Sequence, residues 1–355
     1  MIMKNLALRV PALSRLHRSR NTLLDERDTL AVELRQASAR LGEALATLNE
    51  ARKFADSLKA NIASPFHHFH ATFDAEEVVR RHAVQGLRPD ARHLTNFLGV
   101  LIHPSFFPQI LADRAGQVEP VPIPANWHAD MAEWAAALRA VDLARDSFTV
   151  LELGCGWGCW MNNTGAAARR RGLEVRLLGV EGDRGHIGFA EEACATNGFA
   201  PSQVTLRHGI ATAGSGVALF PRQSESSGSW ALAPVFGATE EQRRQAAEAG
   251  THDELPMVAL EELLAPHPRI DLLHMDIQGG ETEILRQCGP LLAEKVAYLV
   301  VGTHSRQIEG QIFEMLLAAG WKLEMERPAI LRLEEQGPFV TVDGVQGWRN
   351  LALNP

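Results

Sequence analysis

Several common signals are missing from this chain of 355 residues. It has only four cysteines, Cys155, Cys159, Cys194 and Cys288, and their spacing fits neither a disulfide framework nor a zinc site. No uncharged apolar run approaches the roughly 20 residues needed to span a bilayer. The opening Met-Ile-Met-Lys-Asn-Leu-Ala-Leu-Arg-Val is broken by Lys4 and Arg9, which makes a poor signal peptide, so the cytoplasm is the expected compartment. There is no surplus of positive charge: the formal net charge is −8, which argues against nucleic acid as a broad electrostatic partner. Acids are absent from residues 1–20, which hold five Lys or Arg. Such an arm is either simply solvated or in peripheral contact with an anionic membrane surface. With 46% hydrophobic and 22% charged residues, the chain can bury one large domain and still carry additions.

The most informative stretch is Phe148-Thr149-Val150-Leu151-Glu152-Leu153-Gly154-Cys155-Gly156-Trp157-Gly158. Its first half reads as a buried strand, and the alternate glycines Gly154, Gly156 and Gly158 end that strand in a tight turn. A helix is expected to open at once, over residues 159–171, with its free N–H groups facing the same gap. The next apolar run, 175–180, ends in Glu181, an acid placed to accept hydrogen bonds from both hydroxyls of a ribose. Strand, glycine turn, helix and second-strand acid together predict a nucleotide-type cofactor pocket in an open α/β sheet. Glu152 belongs to the same constellation.

Upstream, the apolar residues follow alternating four- and three-residue steps: Leu16, Arg20, Leu23, Arg27, Leu30, Leu34, Ala37, Leu41, Ala44, Leu48, Ala51, Ala55, Leu58 and Ile62. Twelve of these fourteen positions are apolar, and no proline interrupts them, so residues 1–62 are expected to be a coiled-coil oligomerisation stalk. A single amphipathic helix folded back on the body would carry much of the same pattern. Residues 63–147 read as an accessory segment for substrate recognition, with helices near 76–85 and 125–141. His67, His68 and His70, with Asp74, lack the spacing of a zinc site. Trp127, His128, Asp130 and Trp134 place aromatic faces beside polar groups, suited to stacking on a sugar or to packing a helix on the sheet. Farther on, Gly209 and Ile210 form a turn after a strand at 204–208. The polar run 224–230, ending in Trp230, reads as a mobile loop that either closes over substrate or is a plain surface excursion.

A second stretch, residues 270–285, predicts a strand ending at Asp276, a glycine turn and a helix with acids in its first turn. Glu281 and Glu283 suit the helix dipole there. Asp276 and Gln278 fall at the carboxyl end of a strand, the edge where open α/β sheets build their sites. The following strand, 296–301, ends in Gly302-Thr303-His304-Ser305, which puts His304 on that edge as a candidate general base oriented by Asp276. Strands are expected at 321–326, 329–333 and 339–342, with a turn at Asp343-Gly344.

Leu-Glu-Leu-Gly-Cys-Gly-Trp-Gly resembles the first motif of class I S-adenosylmethionine-dependent methyltransferases. Met275-Asp276-Ile277-Gln278-Gly279-Gly280-Glu281 is similar to the Asp-(Val/Ile)-(Glu/Gln)-Gly-(Ala/Gly)-Glu motif of the FkbM O-methyltransferases. Residues 257–264, Gly302-Thr303-His304-Ser305 and the tail 343–350 extend that resemblance over roughly 148–352. The glycine turn departs from it, being closer to class I methyltransferases in general. The resemblance implies a Rossmann-like, mostly parallel seven-stranded α/β sheet over 148–355. It also implies methyl transfer to a hydroxyl, often on a sugar or a polyketide. S-Adenosyl-L-methionine is the implied cofactor, held by Glu152, Gly154, Gly156, Gly158, Glu181, Gly209, Ile210 and Asp276. Catalysis is assigned to His304 and Asp276, and substrate contact to Gln278, Glu281, Trp127 and Trp230. A divalent metal held by Asp276 is the alternative mechanism. A sugar of a bacterial glycan is the favoured acceptor, a polyketide or other small molecule the second. A coiled-coil scaffold with a degenerate methyltransferase fold is the rival of another class.

Overall fold

The structure, a computed structural model, describes residues 11–63 and 68–355. The chain divides into two compact units, residues 1–65 and 66–355. In the first, Pro11–Ala63 is a single helix, α1, of 53 residues. Proline at its first position has a preset φ and no N–H to satisfy, which suits a helix start. The stepped leucines Leu16, Leu23, Leu30, Leu34, Leu41 and Leu48 are 61–69% exposed, so the apolar stripe read from the sequence lies open along this helix. Of its fourteen seam positions, Ala55, Leu58 and Ile62 carry side chains outside the described residues.

The second unit opens with short elements: β1 (His70–Ala71), α2 (Ala75–His82), β2 (Leu94–Thr95), β3 (Leu101–Ile102), α3 (Pro108–Leu111) and α4 (Met131–Leu143). An alternating α/β run follows, with β4 (Ser147–Leu153), α5 (Cys159–Arg170), β5 (Glu174–Glu181), α6 (Arg184–Thr196) and β6 (Val204–His208). Next come β7 (Ile210–Thr212), β8 (Gly216–Pro221), α7 (Glu240–Ala249), β9 (His252–Ala259), α8 (Leu260–Leu264) and β10 (Leu272–Met275). The chain closes with α9 (Glu281–Lys295), β11 (Tyr298–Thr303), α10 (Arg306–Ala318), β12 (Trp321–Arg327), β13 (Ile330–Glu334), β14 (Gly337–Val342) and β15 (Gly344–Asn350).

The central sheet has eight strands in the order β1-β12-β15-β11-β10-β4-β5-β6. Strands β11, β10, β4, β5 and β6 pair in parallel, while β15 runs antiparallel between β11 and β12. Seven of the eight form the expected class I methyltransferase sheet, and the eighth, two-residue β1, is added along β12. Two expectations from the sequence change here. Residues 329–333 and 339–342 do not join the main sheet; they make the separate hairpin β13–β14. The strand that completes the sheet is Gly344–Asn350, whose glycines and polar residues concealed a buried strand.

Alternate residues of the parallel strands feed two cores. Phe148 and Val150 pack on the side of α4 and α5, and Leu151 and Leu153 on the side of α8, α9 and α10. This period of two sends Glu152 and His274 to the α4/α5 side, beneath the turn that follows β4. Residues 75–141 contribute Val78, Val79, Leu94, Phe97, Trp134 and Leu138 to the same core as the sheet. The accessory segment drawn at 63–147 therefore lies, from residue 66 onward, inside the same compact unit as the sheet.

Candidate active site

The turn after β4 is shaped by close approach. Gly154 has φ +73°, and a Cβ there would sit 2.2 Å from the carbonyl oxygen of Asp276. Only glycine lets the ends of β4 and β10 come this near. Gly156 and Gly158 also have positive φ, and Gly158 leads straight into α5. The first backbone donors of α5 are not left free. Glu152 is buried, with Oε2 accepting from Met161 N at 2.9 Å and Oε1 from Trp160 N at 3.3 Å. Burial pushes its carboxyl up to about 7, against the His274 charge and those N–H donors.

Glu181 ends β5 as expected. Its Oε2 accepts from Gly156 N at 2.9 Å and its Oε1 from Asp183 N at 2.8 Å, so Oε2 keeps one further acceptor site. His186 lies 3.6 Å from Oε1 through Nδ1 and donates from Nε2 to the Ser226 carbonyl at 2.7 Å. Burial opposes a charged His186, but the Glu181 contact outweighs it and raises its pKa.

These groups face one cavity of about 920 Å³ at the carboxyl ends of the strands. Of the residues expected from sequence, Glu152, Gly154, Gly156, Glu181, Gly209, Ile210, Asp276, Gln278, Trp127 and Trp230 all line it. Gly158, Glu281 and His304 do not. Gly158 shapes the turn, whereas the other two require corrections.

Glu281 is not a substrate contact. It is fully buried beneath the turn, where Oε1 accepts from Ile277 N at 3.1 Å and Gly279 N at 3.2 Å. His304 sits behind Asp276, with Nε2 3.0 Å from Asp276 Oδ1 and 3.3 Å from Glu281 Oε1, and Nδ1 3.4 Å from Asp343 Oδ1. Burial disfavours its charge, but the three carboxylates outweigh it, and its pKa is pushed up to about 12. His304 does not line the cavity and faces Asp276 instead, so it does not stand where a general base would meet the acceptor. Asp276 reaches the cavity itself. Burial would raise its pKa, yet His304 and the His274 charge hold it below the usual carboxylate range.

The sequence reading missed His274 and Glu133, which line the same cavity as Asp276. Strand β10 carries His274, whose Nε2 donates to Glu133 Oε1 of α4 at 3.1 Å. Burial disfavours the His274 imidazolium, but Glu133 and Glu152 outweigh it and raise its pKa. His128 lies among Trp127, Trp157, Trp160 and Phe107, where burial and the His274 charge lower its pKa to about 4. The one sequence signal for His274 was a polar residue inside an otherwise apolar strand.

Trp230 is clamped between Phe107 (centroids 4.1 Å apart, 16° between planes) and His186 (4.0 Å, 6°). The polar run that carries it is pinned by the Ser226 carbonyl and by Gln223, which donates to Asp183 Oδ2 at 3.0 Å. Of the aromatic and polar group in 127–134, Trp127 and His128 line the cavity, while Asp130 caps α4 and Trp134 is core. His67 lies outside the described residues; His68 and His70 face each other at 3.1 Å, and Asp74 caps α2. Burial pushes the Cys155 and Cys159 thiols well up, so neither is a ready nucleophile.

The chain is 45% identical over 257 residues to a protein of Jannaschia sp. (strain CCS1) named "Putative methyltransferase", a match covering 72% of this chain and 92% of that one. Among solved structures it is similar to the precorrin 8W decarboxylase of Methanobacterium thermoautotrophicum (16% identity, TM-score 0.34, 60% of this chain and 88% of that one). It is also similar to the precorrin-6y C5,15-methyltransferase of Geobacter metallireducens GS-15 (11%, 0.34, 60% and 86%). Neither structure bears on the reaction. Residues 145–333 match the Methyltransferase FkbM domain, and the chain is a methyltransferase of the FkbM family.

Proposed function

We propose that the chain transfers the methyl group of S-adenosylmethionine to a hydroxyl oxygen of a sugar-bearing acceptor. The observation that carries this reading is the convergence of Gly154, Gly156, Glu181, Gly209, Ile210 and Asp276 on one cavity. Glu181 keeps an acceptor site on Oε2 for a ribose hydroxyl. Gly209 and Ile210 flank the space where an adenine edge would lie. The glycine turn leaves room for the methionine portion, and Asp276 stands where the sulfonium methyl would be presented. Phe107, Trp127 and Trp157 line the cavity with apolar ring surface that suits the C–H face of a sugar ring, while Trp230, covered on both faces by Phe107 and His186, offers only its edge.

In such a transfer the S–CH₃ bond breaks as the O–CH₃ bond forms, in line, and the acceptor oxygen loses its proton. Holding oxygen, methyl and sulfur in line supplies most of the acceleration. The hydroxyl becomes strongly acidic as its oxygen turns electron-poor, so a weak acceptor such as Asp276 suffices to take the proton late. His304 then acts as a positioning residue that fixes the Asp276 carboxylate. Helix α1, with its open leucine stripe, assembles copies of the chain. The test is release of S-adenosylhomocysteine with a panel of sugar and polyketide hydroxyl acceptors. Asp276→Ala should cut turnover by about 10²–10⁴-fold. Methylation of nitrogen or carbon acceptors only, or full turnover in Asp276→Ala, would refute the reading.

A further inference from the structure

We propose that Asp276, Glu281 and His304 form a binding site for a hard divalent cation of the Mn²⁺ or Mg²⁺ kind, set against the cavity wall at Asp276. One ligand atom from each of the three lies within 4.8 Å of the others. His304 Nε2 stands 3.0 Å from Asp276 Oδ1. Ligands at right angles around a cation with bonds of about 2.1 Å are separated by about 3.0 Å, so this spacing suits neighbouring positions of an octahedron.

Two further features point to a missing ligand. Glu281 is fully buried, and its Oε2 has no hydrogen-bond partner among the described residues. His304 Nε2 is likewise buried without a partner of hydrogen-bonding geometry. Charge is also out of balance. Asp276, Glu281 and Asp343 have His304 as their only ion-pair partner among the described residues, with the His274 charge reaching Asp276 from farther off. A divalent cation would correct both faults, because it accepts an otherwise orphaned carboxylate oxygen and supplies two charges.

The groups behind these ligands are those a metal site needs. Ile277 N and Gly279 N fix Glu281 through Oε1. His304 Nδ1 faces Asp343 Oδ1 at 3.4 Å, the carboxylate–histidine pairing that orients an imidazole toward a metal through its other nitrogen. Two carboxylates and one imidazole, with water in the remaining positions, suit Mn²⁺ or Mg²⁺ better than a soft ion. The cation would hold the 276–280 turn, in which non-glycine Gln278 has φ +58°, and so orient Asp276. Its role in methyl transfer rests on the function proposed above, whereas its binding does not.

The experiment is a Mn²⁺ titration of the full chain, followed by electron paramagnetic resonance, with and without S-adenosylhomocysteine. One saturable Mn²⁺ per chain is expected. Glu281→Gln and His304→Ala should each weaken it at least tenfold, while Glu294→Gln, an exposed change in α9, should leave it unaltered. Mn²⁺ should also raise the melting temperature of the parent more than that of either variant. Should a variant fail to fold, Asp276→Asn at the partly exposed ligand gives the same comparison. No saturable binding by the parent, or equal affinity in all variants, overturns the site. Absence of Mn²⁺ binding with S-adenosylhomocysteine still bound overturns the cation alone; Mn²⁺ bound without S-adenosylhomocysteine counts against the transferase reading instead.

Discussion

The backbone N–H of Gly156 donates to Glu181 Oε2 at 2.9 Å, tying the turn after β4 to the acid that ends β5. One carboxylate thus serves both the shape of the turn and the proposed ribose contact. Glu181→Ala should therefore lower affinity for S-adenosylmethionine by roughly 30–150-fold, about 2–3 kcal/mol, and lower the melting temperature as well. Calorimetry and a thermal melt on the same samples check this. Unchanged affinity would remove Glu181 from the cofactor site.

Gly154→Ala is the sharpest test of the turn. The added Cβ would collide with the Asp276 carbonyl at 2.2 Å, and φ +73° disfavours any side chain. The ends of β4 and β10 must then separate, at a cost of several kcal/mol in stability. Cofactor binding should vanish even in the fraction that stays folded. A stable Gly154→Ala protein with normal affinity would show that the strand ends do not meet as described.

Much of this site was legible from local sequence. A glycine turn after an apolar strand, an acid at the end of the next strand and an Asp-x-x-Gly step each report a backbone conformation that few residues can supply. What escaped the reading depends on distant neighbours. Glu133 and His274 meet across 141 positions, with Glu133 in the first turn of α4. The roles of His304 and Glu281 turned on contacts with carboxylates from two distant segments, 276–281 and 343. Strand Gly344–Asn350 was hidden because its glycines leave space for Tyr298 and Glu309, a packing reason without a hydropathic signal.

Acid stability should carry the mark of His128. Its pKa falls to about 4 in the fold, chiefly through burial, against about 6.5 in an unfolded chain. Above about pH 6.5 both states are neutral there, and no penalty arises. Below it the unfolded chain takes up a proton that the fold refuses, so stability is lost down to about pH 4, by at most about 3 kcal/mol. In His128→Phe the decline in melting temperature between pH 6.5 and 4 should be shallower than in the parent. Parallel pH profiles for the two proteins would contradict the assignment.

For the stalk, two charges on the stripe should suffice. Leu34 and Leu41 are 69% and 61% exposed along α1, so Leu34→Asp with Leu41→Asp should cost a monomer little. In an assembled coiled coil the same charges would be buried at the seam. Light scattering should give a lower mass per particle for the double variant, with cofactor affinity unchanged. Equal masses would show that α1 is not the assembly element.

The most direct measurement is a calorimetric titration of the full chain with S-adenosylmethionine, repeated on Glu181→Ala. Saturable binding of one molecule per chain, weakened at least tenfold in the variant, is the expected result. Absence of binding by the parent, or binding that Glu181→Ala leaves untouched, would contradict the placement of the cofactor in this cavity.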